Sequence, residues 1–163
     1  MSGLAVVVVL AVGSAAPAAK TPTWTAVRAD GLTKVTLAQP AVEVTIVSAG
    51  KPPACLARTL PQVPGLVLPA GRSGVTEIGI TIAAKPLFVP LSLVSCLYDP
   101  NRARLERLPN GVVRLYLDGG DGATGYLLTV DFDKDRVQRR AIEPAELPGE
   151  KSEETVYNRI VVE

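Results

Sequence analysis

Apolar residues return at every second position through most of this chain, and no other feature restricts its fold so tightly. Val42, Val44 and Ile46 alternate with Glu43 and Thr45, and Ile78, Ile80 and Ile82 with Glu77, Gly79 and Thr81. The same period runs through Val35 and Leu37, through Val113, Leu115 and Leu117, and through Tyr126, Leu128, Val130 and Phe132. Near the end Val156, Ile160 and Val162 share one parity. Successive side chains of a strand point to opposite faces, so this pattern makes half-buried antiparallel strands with one face on a core.

The breaks in the pattern agree with it. Fourteen glycines and fourteen prolines divide the chain at short intervals. "AGKPPA" from Ala49, "PQVPG" from Pro61, "PAGRSG" from Pro69, "AAKP" from Ala83, "LPNG" from Leu108 and "LPGE" from Leu147 all carry turn chemistry. Many short strands at such spacing predict an all-β fold: a single antiparallel β-sandwich or small barrel with meander hairpins and at most one or two short helices. The helical candidates are Asn101 to Leu108, NRARLERL, and the acidic stretch Pro144 to Tyr157, which also reads as loop. Ile80 to Val94 is the most apolar stretch after the first residues, and Pro86 and Pro90 interrupt it. Proline cannot donate to a sheet ladder, which predicts a hairpin with an edge strand or bulge there, with a strand pattern from Phe88 to Val94.

Length and termini set the domain plan. At 163 residues the chain has room for one domain with a real core. Leu4 to Gly13 is a ten-residue apolar run followed by small residues, Pro17 and the first charge at Lys20. A membrane-crossing helix needs about twenty apolar residues. The shorter run fits a secretory signal cut near Ala16-Pro17-Ala18, although no Lys or Arg precedes it. The expected division is a signal peptide over residues 1–18 and one β-rich domain over 19–163. That places the protein in a periplasmic or secreted compartment and leaves no transmembrane segment once the signal is removed. Cys55 and Cys96 are the only two cysteines, and in an oxidising compartment such a pair reads as a disulfide. The bridge would close a loop of about forty residues, worth roughly 4 kcal/mol in the chain-entropy model.

The segment "LDGGDGATGYLLTVDFDKDRVQRR", Leu117 to Arg140, holds the densest chemistry. Asp131, Asp133 and Asp135 imitate the start of a calcium loop. Such a loop wants glycine at its sixth position and a bidentate glutamate at its twelfth, where this chain has Arg136 and Ile142. A phosphate cradle would need a helix after "DGGDGATG", and "YLLTVDF" is a strand pattern instead. The aspartic-protease motif is absent as well, because Asp118 and Asp121 are each followed by glycine. Three strands joined by two turns explain the whole segment, with Asp133, Lys134 and Asp135 forming the second turn. No metal site and no cofactor is expected.

Two arginine groups remain, Arg102, Arg104 and Arg107 in one segment and Arg136, Arg139 and Arg140 in another. If the segments are neighbours they form a candidate anion patch. The competing reading is that these side chains cover apolar surface and guard a sheet edge, neutralised by Glu143, Glu146, Glu150, Glu153 and Glu154. Nucleic acid is not expected: net charge is +1 and aromatics are 4% of residues, with no stacking series beside the arginines. Trp24, the single tryptophan, reads as a core plug or strand anchor.

The chain has no histidine, which removes the commonest general base and the commonest metal ligand. A catalytic reading would need paired carboxylates, with Asp118, Asp121, Asp131 and Glu77 as candidates, or a Ser–Lys arrangement. With no assembled catalytic set, the expected function is that of an exported non-catalytic β-domain that binds a protein or envelope partner. The alternative is a histidine-free envelope enzyme.

Overall fold

A computed structural model of the protein describes residues 22–50 and 73–158. The expected signal segment and Cys55 lie outside the described residues, as do Ile160 and Val162. The described residues form ten strands in two antiparallel sheets. The smaller sheet has the order β2-β3-β4-β5, built from Gly31–Leu37, Val42–Ala49, Gly74–Ile82 and Lys85–Leu87. The larger has the order β1-β6-β7-β8-β9-β10, built from Thr25–Ala26, Pro100–Arg107, Val113–Gly119, Tyr126–Phe132, Val137–Pro144 and Glu153–Val156.

The sheets pack as a sandwich because the alternation buries one parity of each. Val44, Ile46, Ile78 and Ile80 of the smaller sheet join Ala103, Leu105, Leu115, Leu117, Leu128, Val130 and Phe132 of the larger in one cluster. Burying a side chain of this kind stabilises the fold by about 1.5–3 kcal/mol. The three-strand meander appears as β7, β8 and β9 in consecutive register, from Val113↔Phe132 to Gly119↔Tyr126 and from Tyr126↔Pro144 to Phe132↔Val137. Its second turn is held as the sequence suggests: Asp133 Oδ1 accepts the backbone N–H groups of Asp135 at 2.8 Å and Arg136 at 3.0 Å.

Two local expectations are corrected. Asn101 to Leu108 is not helical but supplies most of β6. Ala103 and Leu105 point into the core while Arg102, Arg104 and Glu106 stand on the outer face, and pairing with β1 and β7 on both flanks overrides the helix-tolerant composition. The stretch from Phe88 to Val94 does not continue as a strand. The edge strand β5 ends at Leu87, and after Pro90 the chain forms a 3-10 turn, Leu91–Val94, whose Leu93 is fully buried. The hairpin from β4 into β5 turns on Ala83 and Ala84, both at positive φ (47° and 64°), where asparagine and glycine are the usual residues.

Candidate functional site

The outer face of the larger sheet carries the charges. Register places Arg104 beside Tyr116, Glu106 beside Arg114, and Asp131 between Arg114 and Arg139. Arg114 reaches Asp131 through Nε at 2.5 Å and through its second terminal nitrogen at 2.9 Å. Arg139 donates Nε to the other side of the same carboxylate at 3.0 Å and bonds Glu154 at 3.0 Å. Burial alone would raise the Asp131 pKa, but the hydrogen bond and charge of Arg114, joined by those of Arg139, hold it below the ordinary carboxylate range. The Asp131 hydrogen bond in turn pushes Arg114 up. At the β1 side, Arg104 stacks on the Tyr116 ring at 4.1 Å and over Trp24 at 5.1 Å, and Arg102 lies over Trp24 at 4.6 Å. Trp24 is therefore a half-buried residue of this outer face, next to β1, and belongs to no core cluster.

The six arginines of the candidate anion patch do not meet. Arg102 and Arg104 share the outer face with Arg139, but carboxylates stand between them: Asp118 on Arg102 at 2.7 Å, Glu106 on Arg104 at 3.5 Å and Asp131 on Arg139 at 2.9 Å. Arg107 is exposed at the end of β6, and Arg136 lies in the β8–β9 hairpin, where it donates to the Tyr157 carbonyl at 3.3 Å. Arg140 points the other way. It shares the inner face with Val130, is 1% exposed, and donates to the carbonyls of Leu93 at 3.2 Å and Ser95 at 2.6 Å and to Glu153. It fastens the 3-10 turn to β9.

Two concave regions flank this face. The first is a cleft of about 370 Å³ between Trp24 and the 118–125 loop, with Arg102, Asn101, Asp118 and Glu143 on its walls. Glycine is required in the loop. A Cβ on Gly119 would lie 2.5 Å from the Tyr126 hydroxyl, and Gly120, at φ +73°, would meet the Thr124 carbonyl oxygen at 2.4 Å. Tyr126 anchors the loop from beneath by donating to the Tyr98 carbonyl at 2.9 Å, and burial pushes its phenol pKa up. Tyr98 donates to Thr124 at 2.8 Å and Asn101 to Gly120 at 2.9 Å. Of the candidate acid–base carboxylates, Asp118 and Asp121 reach this cleft, but Asp118 is engaged by Arg102, and Asp121 accepts the Thr124 hydroxyl at 3.0 Å. Asp131 sits between two arginines farther along the sheet, and Glu77 is exposed on β4 of the other sheet. The four do not form one set.

The second region is a groove of about 500 Å³ lined by Phe88, Pro90, Arg136, Val137, Val156 and Tyr157. Phe88 is 83% exposed and Val156 62%; Leu91, 90% exposed, lies outside the groove. The groove lies between the segment after β5 and the last strand, β10, an edge strand of the larger sheet. Phe88, Leu91 and Tyr116 carry no expected site role from the sequence, and Glu143 is expected there only as a charge that neutralises the arginines. A pattern of alternation cannot tell which apolar residues of an interrupted stretch stay outside the core.

Among the described residues no group of three His, Cys, Asp or Glu side chains is placed to hold a metal ion. No helix among them is long and apolar enough to cross a membrane. No family model, curated protein or solved structure matches the chain. What the geometry defines is a class: an antiparallel β-sandwich with a charge-latticed outer face, a polar cleft on one flank and an apolar groove on the other.

Proposed function

We propose that this protein is an exported, non-catalytic β-sandwich that acts by binding a protein partner of the envelope or secreted space through the Phe88–Val156 groove. The observation that carries the reading is the joint exposure of Phe88 and Val156 around one concavity that Pro90 and Tyr157 also line. Single exposed apolar residues are ordinary, but large ones gathered about a groove mark an interaction site. The strand that carries Val156, β10, is an edge strand of the larger sheet, and an unpaired strand edge is a template for an incoming extended segment. Export rests on the apolar run before Lys20 and on the expected Cys55–Cys96 bridge, which support each other as signs of an oxidising compartment. The separation of the candidate carboxylates supports binding over catalysis.

The test is capture from envelope extract with the wild-type protein and with a Phe88→Asp, Val156→Asp double variant. A partner retained by the wild type and lost by an equally stable variant is the expected result. Identical capture by both proteins, or a natural protein that fractionates with cytosol and still begins at Met1, contradicts the reading.

A further inference from the structure

We propose that the cleft between Trp24 and the 118–125 loop binds a neutral saccharide, with one face of a sugar ring against the indole and its hydroxyls on Arg102, Asn101, Asp118 and Glu143. The site is distinct from the apolar groove and does not depend on the partner reading. At about 370 Å³ the cleft falls within the roughly 300–1,000 Å³ of small-molecule sites.

Its walls suit a ligand that is apolar on one face and hydroxylated around its rim. A sugar hydroxyl donates one hydrogen bond and accepts others, so it needs donors and acceptors side by side, with an aromatic surface for the C–H face. The polar wall residues each commit one atom to building the site and keep others for a ligand. Arg102 spends Nε on Asp118 Oδ2, leaving two terminal nitrogens as donors and Asp118 Oδ1 as an acceptor. Asn101 spends its amide N–H on Gly120 and keeps its carbonyl. Glu143 accepts from the Gly149 N–H through Oε2 at 3.0 Å and keeps Oε1. Asp118 and Glu143 stand in one row of the outer face, on either side of Leu127, so their carboxylates border the same space.

Charge selects against anionic ligands. Among the described residues of the cleft one guanidinium, Arg102, faces the carboxylates of Asp118 and Glu143, a balance that repels phosphates and carboxylates. The same carboxylates are not gathered closely enough to hold a metal ion. The site is also built before any ligand arrives. Two arginines fix the indole, and Tyr126, Asn101 and the close-packed glycines fix the loop, so little ordering is left to oppose binding.

Trp24 is the only tryptophan, so indole fluorescence reports on this cleft alone. The full chain is titrated with maltotriose, cellotriose, chitotriose and xylotriose into the millimolar range, with inorganic phosphate and lysinamide as the charged comparisons. A saturable change with at least one trisaccharide and none with the charged compounds is expected. Asp118→Asn, which keeps the side-chain shape, should weaken binding roughly tenfold, the loss of about one charge-assisted hydrogen bond. Trp24→Ala should abolish the sugar-induced shifts of the Gly119, Gly120 and Gly122 amide resonances while the melting temperature stays within a few degrees of wild type. No saturable change with any of the four sugars, a response to phosphate or lysinamide instead, or amide shifts that survive Trp24→Ala would overturn the proposal.

Discussion

The two outer faces of the sandwich are built on different plans. On β2–β5 the outward residues include Leu32, Lys34, Thr36, Glu43, Thr45, Val47, Glu77 and Thr81, and among the described residues of this sheet the single ion pair is Lys34–Glu43 at 2.9 Å between two exposed side chains. On β6–β10 Arg114, Asp131, Arg139, Glu154 and Lys151 run as one chain of ion pairs across four strands. Arg140 adds a buried anchor on the opposite side of the same sheet. Exposed pairs are worth little because water screens them and two long side chains lose freedom. Arg114, Asp131 and Arg139 are partly buried and share partners, so removing one strands another, while Glu154 and Lys151 extend the chain to the exposed edge. Both concave regions lie along this sheet. The ionic lattice crosses the larger sheet between these two regions, while the smaller sheet closes the core.

The contrast breaks most readily at Arg140. Arg140→Ala removes a fully buried side chain, leaves the Leu93 carbonyl buried without this donor and should cost about 2–5 kcal/mol, read as a large drop in the denaturant midpoint. A cost below that of an ordinary surface change would mean that the 3-10 turn does not depend on β9.

Asp131 comes next. Asp131→Asn removes the charge that two arginines share and should cost about 1–3 kcal/mol at neutral pH. Folded Asp131 binds its proton less readily than the unfolded chain does, because its pKa is depressed. Its contribution is complete above the unfolded value of about 4 and is lost as pH falls through the lower folded value. Urea midpoints measured from neutral pH downward should fall more steeply for the wild type than for the variant, and parallel curves would remove Asp131 from the lattice.

The smallest effect belongs to the other face. Lys34→Ala should change stability by no more than about 0.5 kcal/mol, since both partners are exposed. A loss comparable to that of Asp131→Asn would erase the difference between the two sheets.

The fold was largely legible because alternation survives any choice of partner strand. Val44, Ile46, Leu115 and Leu128 are buried in both the pattern and the structure. The meander over 113–144 followed from the same parity and from the liking of Asp133 for turns. What failed was local. NRARLERL pairs alanine and leucine two apart among arginines, a pattern that a short helix or an edge-side strand can equally satisfy until its neighbours are known. The site was less legible still. Arg139 and Arg140 are adjacent in sequence, and whether each faces solvent or the interior depends on the register of β9, where a shift between Asp131 and Phe132 intervenes. Trp24 meets Arg102 and Arg104 only because the two-residue strand β1 pairs with β6, and no local signal announces that contact.

Site-specific photo-crosslinking in the producing cell tests partner binding at the groove most directly. A photoreactive residue is placed at Phe88, at Val156 and, for comparison, at Leu32 and Thr45 on the outer face of the smaller sheet. The predicted result is one discrete adduct of the same mass from Phe88 and Val156, recovered with envelope or secreted material and absent from Leu32 and Thr45. Adducts of equal yield at all four positions, or none at Phe88 and Val156 in protein that is folded and abundant, would contradict it.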